Sequence, residues 1–201
     1  TLCGGVLMTQ GIGLGRIMAP QRRHDALASV TADQHHAQAH GASEHTDITR
    51  EVWLPASATV IAGAEQENYA QWGGVNGGAN ADEPHVLFTM KVPDDFASFT
   101  KVEAVFIHEG SGDIYWHITA SYAASGQDRV THTDTPAIAA QASGATRLIE
   151  VQEPANALAL ANLASGDYLG LDYTREGTNV ADTLDQQMLL LGLLFTYVAN
   201  Q

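Results

Sequence analysis

The chain has 201 residues, which is enough for one sizeable domain with an appended segment. Its 23 acidic and 9 basic side chains give a formal net charge of −14, a balance that would repel DNA or an anionic membrane surface. The composition therefore argues against nucleic acid and membrane as partners, and the single cysteine, Cys3, excludes an intrachain disulfide.

The first part of the chain, residues 1–50, carries Gly, His, Gln and short Ala-rich pieces with no sustained helical or strand period. Such a segment is typical of an extended or assembly-dependent structure. We interpret residues 1–50 as a segment for attachment and oligomerisation, and residues 51–201 as the head domain.

Four histidines, His35, His36, His40 and His45, lie close together near the end of this segment. If residues 33–40 are helical, His36 and His40 share one face and both imidazoles can reach one metal ion. Three chains around one axis would then supply a metal site at a trimeric histidine cluster. The alternative is that these histidines are polar residues at the joint between neighbouring chains, with no cofactor.

From residue 51 onward, short runs of β-branched and aromatic residues alternate with turn residues, as in an all-β sandwich. In DIYWHITASYA, for example, Ile114, Trp116 and Ile118 fall on one face while Tyr115 and His117 fall on the other. The predicted strands are EVWLPASATVI, HVLFTMKV, KVEAVFIHE, DIYWHITASYA, TRLIEV, DYLGLDYTR and MLLLGLLFTYV.

These strands predict an all-β fold, an antiparallel, jelly-roll-like β-sandwich with an extended N-terminal segment. One short crossover helix is predicted over 154–164, where Pro154 suits a first helical turn and Ser165-Gly166 ends an apolar stripe. The last strand is apolar on both faces, which indicates a central position or a subunit interface. The predicted core contains Val105, Ile107, Ile114, Trp116, Ile118, Leu169, Leu171, Leu191, Leu193 and Phe195.

The segments 63–84 and 123–146 are rich in small and amide residues and are predicted to be surface loops. In the first of them, Trp72 and Tyr69 are the candidate residues for contact with a glycan or receptor. The other interpretation of Trp72 is a loop anchor packed onto the sandwich. Trp116 is expected in the core, with Trp53 as its neighbour.

The sequence carries no recognised catalytic constellation. His108-Glu109 does not continue into the zinc-protease motif, because Gly112 stands where the second histidine is needed. Asp94, Asp95, Glu103 and Glu109 are candidates for an acid/base pair, with turn or surface roles as the alternative. We expect a protein that is not an enzyme.

The segments HHAQAHGASEHTD, KVPDDFASFTKVEAVFIHEGSGDIYWHITASYAASGQ, LANLASGDYLGLDYTREG and LLGLLFTYV resemble the C-terminal region of fibre and spike proteins of tailed bacteriophages. The resemblance implies a structural virion protein at the virion surface, a fibre, spike or decoration protein. It further implies a homotrimer, contacts to other virion proteins through residues 1–50, and host attachment through a surface glycan. The alternative function is a secreted carbohydrate-binding module, which requires exposed aromatic side chains in a row or groove.

Overall fold

The structure of the protein is a computed structural model, which describes residues 48–56, 59–61, 66–69, 72–76 and 83–200. Within these ranges every regular element is a β-strand, and no helical segment meets the length and hydropathy that a membrane crossing requires. The strands are β1 Ile48–Pro55, β2 Thr59–Ile61, β3 Gln66–Tyr69, β4 Trp72–Asn76, β5 His85–Lys91, β6 Phe96–His108, β7 Asp113–Ala123, β8 His132–Asp134, β9 Ala139–Ala142, β10 Glu150–Gln152, β11 Tyr168–Arg175 and β12 Met188–Ala199.

Two antiparallel sheets of six strands each form the fold. Sheet A has the order β10-β6-β12-β4-β3, and β1 also pairs with β12. Sheet B has the order β2-β5-β11-β7-β8, and β9 also pairs with β7. The predicted antiparallel β-sandwich is therefore confirmed.

The core lies between the inner faces of the two sheets. Trp116 on β7 and Tyr173 on β11 are both buried there, with ring centroids 5.4 Å apart. Burial also raises the pKa of the Tyr173 hydroxyl well above its ordinary value. All ten predicted core residues are buried.

Three of those ten residues belong to a different face of the protein. Val105, Ile107 and Leu191 cluster with Leu189, apart from the main core. Because Ala104 and Phe106 on the same strand do join the main core, the cluster lies on the other face of sheet A. Strand β12 is buried on both faces and central in its sheet, as its two-sided apolar sequence indicated.

The prediction of a crossover helix over 154–164 is wrong, because this segment is an irregular loop. Leu158, Leu160 and Leu163 are buried, so the apolar stripe covers the core without forming a helix. The backbone N–H groups of Ala159 and Leu160 donate to the Asp134 carboxylate, at 2.5 and 3.2 Å. A side chain distant in sequence therefore satisfies amides that a helix would have paired internally.

Three further element boundaries differ from the prediction. The segment 63–84, predicted as a loop, contains the hairpin of β3 and β4, and TRLIEV contributes only Glu150 and Val151 to a strand. Strand β1 begins at Ile48, so it includes the last three residues of the segment 1–50. The rest of that segment lies outside the described residues.

A buried ion pair stabilises the loop that connects β11 to β12. The Arg175 guanidinium donates to both carboxylate oxygens of Asp182, at 2.8 Å from Nε and 2.7 Å from Nη2, and both side chains are fully buried. Asp182 also accepts from the backbone N–H of Tyr115, at 3.1 Å. This network holds the connection against β7, at one end of sheet B.

Candidate functional site

A groove crosses the outer face of sheet B, and we call it the sheet B groove. Its main part has a volume of about 400 Å³ and is lined by Leu87, Phe88, Thr89, Thr119, Ala120, Ser121, Arg129, Thr133, Thr135, Gly170, Leu171 and Asp172. A neighbouring part of about 370 Å³ extends to Tyr168 and the 124–127 turn. Thr89, Ser121, Arg129 and Gly170 line both parts, so the two are continuous.

The alternation of three adjacent strands builds this surface. In β11, Leu169, Leu171 and Tyr173 point into the core, so Tyr168, Gly170 and Asp172 occupy the outer face. The strand register then sets Gly170 between Thr89 of β5 and Ser121 of β7.

Gly170 makes the middle of the groove open. A Cβ atom added there would lie 3.5 Å from Ser121 Oγ and 3.6 Å from the Ser121 carbonyl oxygen, both ordinary van der Waals distances. The fold therefore does not require glycine on steric grounds at this position. Its missing side chain leaves space for a ligand to approach the sheet closely.

Asp172 supplies the carboxylate of the groove and is held in place by its neighbours. Both of its oxygens lie 3.2 Å from His85 Nδ1, and Thr174 Oγ1 lies 3.0 Å from the same nitrogen. The Asp172 side chain is about one-third exposed, so it retains acceptor positions toward the groove. A ligand hydroxyl can donate to it there.

His117 lies beyond Asp172, next to Thr174 in the register of β7 and β11. Its Nδ1 is buried and has no hydrogen-bond partner among the residues that the structure describes. Burial lowers the pKa of His117, and the nearby His85 acts in the same direction, against the opposing effects of Glu176 and Asp172. A neutral imidazole is therefore favoured at this end of the outer face.

Tyr168 lies at the opposite end of the outer face and is 54% exposed. It stands between Lys91 and Ala123 in the strand register. An exposed aromatic ring beside hydroxyl-rich walls offers an apolar surface for stacking and a phenol group for hydrogen bonding. The strand from Tyr168 to Thr174 spans roughly 20 Å at the rise of an extended chain.

The carboxylates considered for catalysis from the sequence all have structural partners. Asp94 pairs with Lys91, Asp95 with Arg50, Glu103 with Lys101 and Glu109 with Arg147, at N···O distances of 2.5 to 2.8 Å. None of the four lines the sheet B groove. His108 is buried, with Nε2 at 2.6 Å from Glu150 Oε1.

The predicted glycan-contact residues lie away from the groove. Tyr69 and Trp72 are paired in the strand register of the hairpin of β3 and β4, at the edge of sheet A. Trp116 on sheet B is buried as predicted, whereas Trp53, predicted as its neighbour, lies on β1 of sheet A. Trp53 is 46% exposed and packs over Gly192, where an added Cβ atom would come within 2.6 Å of the indole ring.

The histidines predicted as metal ligands, His36 and His40, lie outside the described residues. Among the residues that the structure does describe, no group of three or more His, Cys, Asp or Glu side chains is arranged to hold a metal ion. The metal site at a trimeric histidine cluster therefore stays a prediction.

No family model and no curated protein matches this chain. The isomalto-dextranase of Arthrobacter globiformis T6, solved in complex with panose, is similar over 73% of this chain at 20% identity and a TM-score of 0.48. This chain spans only 23% of the length of that enzyme.

Two carbohydrate-binding modules are also similar in structure. A module that recognises mannan matches 76% of this chain and 99% of its own, at 10% identity and a TM-score of 0.40. The family 11 module of Clostridium thermocellum, in complex with a mixed-linked tetrasaccharide, matches 73% of this chain and 87% of its own, at 7% identity and a TM-score of 0.37.

These comparisons correct the prediction of a structural virion protein. Two of these similar structures are carbohydrate-binding modules and the third is an isomalto-dextranase, and none of the three is a phage protein. The tail-fibre, decoration and host-attachment roles are withdrawn together with the prediction of a virion protein. The virion-surface location and the homotrimer stay predictions, because the described residues belong to one chain and test neither.

Sequence reasoning missed Tyr168, Gly170, Asp172 and Arg129 as groove residues. A signal was present in YLGLDYTR, where small or polar residues alternate with Leu169, Leu171 and Tyr173. That alternation identified a half-buried strand. It did not identify which strands would flank it, and the groove depends on those neighbours.

Proposed function

We propose that this chain is a carbohydrate-binding module whose ligand lies in the sheet B groove. The observation that carries the proposal is the groove itself: an open surface centred on Gly170, with hydroxyl side chains along its main part and Tyr168 exposed at one end. Its volume falls within the range of small-molecule binding sites.

The groove walls match the chemistry of a sugar. Thr89, Thr119, Ser121, Thr133 and Thr135 line it with hydroxyl groups that both donate and accept hydrogen bonds. Sugar hydroxyls have the same dual character, so one wall can serve several ligand orientations. The less polar C–H faces of a sugar ring can stack against the phenol ring of Tyr168, which lines the adjoining part.

We further propose that the site binds without turnover. Glycoside hydrolysis generally uses two carboxyl groups on either side of the scissile bond. Asp172 is the one carboxylate among the residues that line the described groove. A surface that presents hydroxyl groups and a single acid suits recognition better than bond cleavage.

Affinity electrophoresis against mannan, mixed-linkage β-glucan, galactan, xylan and dextran tests the proposal. We expect at least one of these polysaccharides to retard the protein. Tyr168→Ala and Asp172→Ala should each reduce that retardation, because one removes the stacking surface and the other the hydrogen-bond acceptor. Val180→Ser is the control, since Val180 is 96% exposed and does not line the groove.

Two results would contradict the proposal. One is retardation by a polysaccharide that both groove variants leave unchanged, which would place binding elsewhere. The other is release of reducing sugar that Asp172→Ala abolishes, which would make the chain an enzyme.

A further inference from the structure

Arg129 differs from the other basic side chains that the structure describes. Five of these six side chains form ion pairs: Arg50, Lys91, Lys101, Arg147 and Arg175. Arg129, the sixth, has no carboxylate within 4.0 Å among the described residues. It is also the basic side chain that lines both parts of the sheet B groove.

A shortage of acids does not explain this, because the chain has 23 acidic residues and 9 basic ones. The acids closest in sequence or in the groove have other partners. Asp128 accepts from the N–H of Val130 at 3.1 Å, Asp134 accepts from the 159–160 backbone, and Asp172 lies against His85. Within the described part of the chain, the hydrogen-bonding capacity of Arg129 is therefore available to a ligand.

The loop that carries Arg129 has a defined backbone. It connects β7 to β8, and its turns are closed by hydrogen bonds from Gln127 N to Ala124 O at 3.1 Å and from Thr131 N to Asp128 O at 3.0 Å. The guanidinium is thus presented from an ordered rim of the groove. Its planar group of donors is suited to bidentate binding of an oxyanion.

We propose that the groove recognises a glycan bearing an isolated acidic substituent, a carboxylate or a sulfate ester, which binds at Arg129. This inference rests on the proposed function and specifies its ligand. The acidic group pairs with the guanidinium, while the neutral part of the glycan lies along the hydroxyl walls toward Tyr168.

The net charge of the chain determines how densely charged that glycan can be. A formal charge of −14 repels a uniformly charged polyanion, and one arginine cannot neutralise a row of acidic groups. Asp172 in the same groove adds repulsion against a second acid. The favoured ligand is therefore a mostly neutral glycan with sparse acidic groups.

Matched ligand pairs test the inference by isothermal titration calorimetry. The first pair is glucuronoxylan and the same polymer after reduction of its carboxyl groups to alcohols. The second is a sparsely sulfated galactan and its desulfated form. Polygalacturonate serves as the densely charged probe. Arg129→Gln is the test variant, and Arg50→Gln on sheet A removes the same charge away from the groove.

We expect at least one acidic polymer to bind about tenfold to a hundredfold more tightly than its neutral partner, as for a charge-assisted hydrogen bond. The pair that shows this preference identifies the recognised group as a carboxylate or as a sulfate ester. Arg129→Gln should abolish the difference, Arg50→Gln should retain it, and polygalacturonate should bind more weakly than the preferred polymer.

Equal binding of acidic and neutral partners, or a preference that survives Arg129→Gln, would overturn this inference. So would tighter binding of polygalacturonate. If the inference about Arg129 fails in this way but Tyr168→Ala still weakens binding of a neutral glycan, the proposed function remains intact. Failure of every acidic and neutral glycan to bind would overturn the proposed function as well.

Discussion

Replacing Gly170 separates the binding role of the groove from the stability of the fold. An alanine Cβ would meet Ser121 only at ordinary contact distances of 3.5 and 3.6 Å, so the strand can accept it. Glycine within a strand is less favourable than alanine by about 0.5–1 kcal/mol, so Gly170→Ala should raise the free energy of unfolding by roughly that amount. A stabilised variant is expected.

The same methyl group should weaken ligand binding, because it fills the space that the ligand would occupy. Extra methyl groups forced into packed contacts cost about 1–3 kcal/mol, which corresponds to roughly 5- to 150-fold in Kd. Gly170→Val should weaken binding further. Urea unfolding followed by tryptophan fluorescence gives the stability, and calorimetry with the tightest-binding panel glycan gives the Kd.

Gly192 on β12 is the matched control, with the opposite expectation. Its added Cβ atom would come within 2.6 Å of the Trp53 ring, so Gly192→Ala should destabilise the fold without affecting the groove. Unchanged glycan affinity in both Gly170 variants would refute the placement of the ligand. A large loss of stability in Gly170→Ala would refute the steric argument instead.

Other variants test what supports the groove. Asp182→Ala should cost about 3–5 kcal/mol in urea unfolding, because it leaves the buried Arg175 charge without its carboxylate, and a loss below 1 kcal/mol would contradict the role of this pair. Arg50→Gln, which breaks an exposed pair, should cost at most about 1 kcal/mol in the same assay. Because burial holds the folded-state pKa of His117 below its ordinary value of 6.5, the unfolded chain binds the proton more readily, and stability should fall as the pH drops below about 6.5. His117→Gln should reduce this loss of stability when unfolding is compared at pH 7.5 and pH 5. An identical pH dependence in the wild type and the variant would contradict this role of His117.

The sequence predicted the sandwich because local alternation is sufficient to identify its strands. Ile114, Trp116 and Ile118 alternate with polar residues, and the structure buries all three. The prediction of a helix over 154–164 was wrong because of a contact with a residue distant in sequence. Its leucines have helical spacing, but the Asp134 carboxylate binds two backbone amides there, and a single segment of sequence carries no trace of that partner.

The groove could not be predicted for a related reason. Its walls come from β5, β7, β8, β11 and a loop, which the chain visits in an order that differs from their order in the sheet. Strand β11 lies between β5 and β7, although 44 residues lie between the end of β7 at Ala123 and the start of β11 at Tyr168. Gly170 becomes the centre of a groove only once Thr89 and Ser121 flank it.

Amide chemical-shift mapping by NMR tests glycan binding in the sheet B groove most directly. The labelled chain is titrated with soluble oligosaccharides of the neutral and acidic panel glycans. We predict that shifts concentrate in residues 168–172, 119–121 and 127–130, with residues 189–194 of sheet A unaffected. Shifts confined to sheet A or to the β3–β4 hairpin, or no shifts with any of these oligosaccharides, would contradict the account.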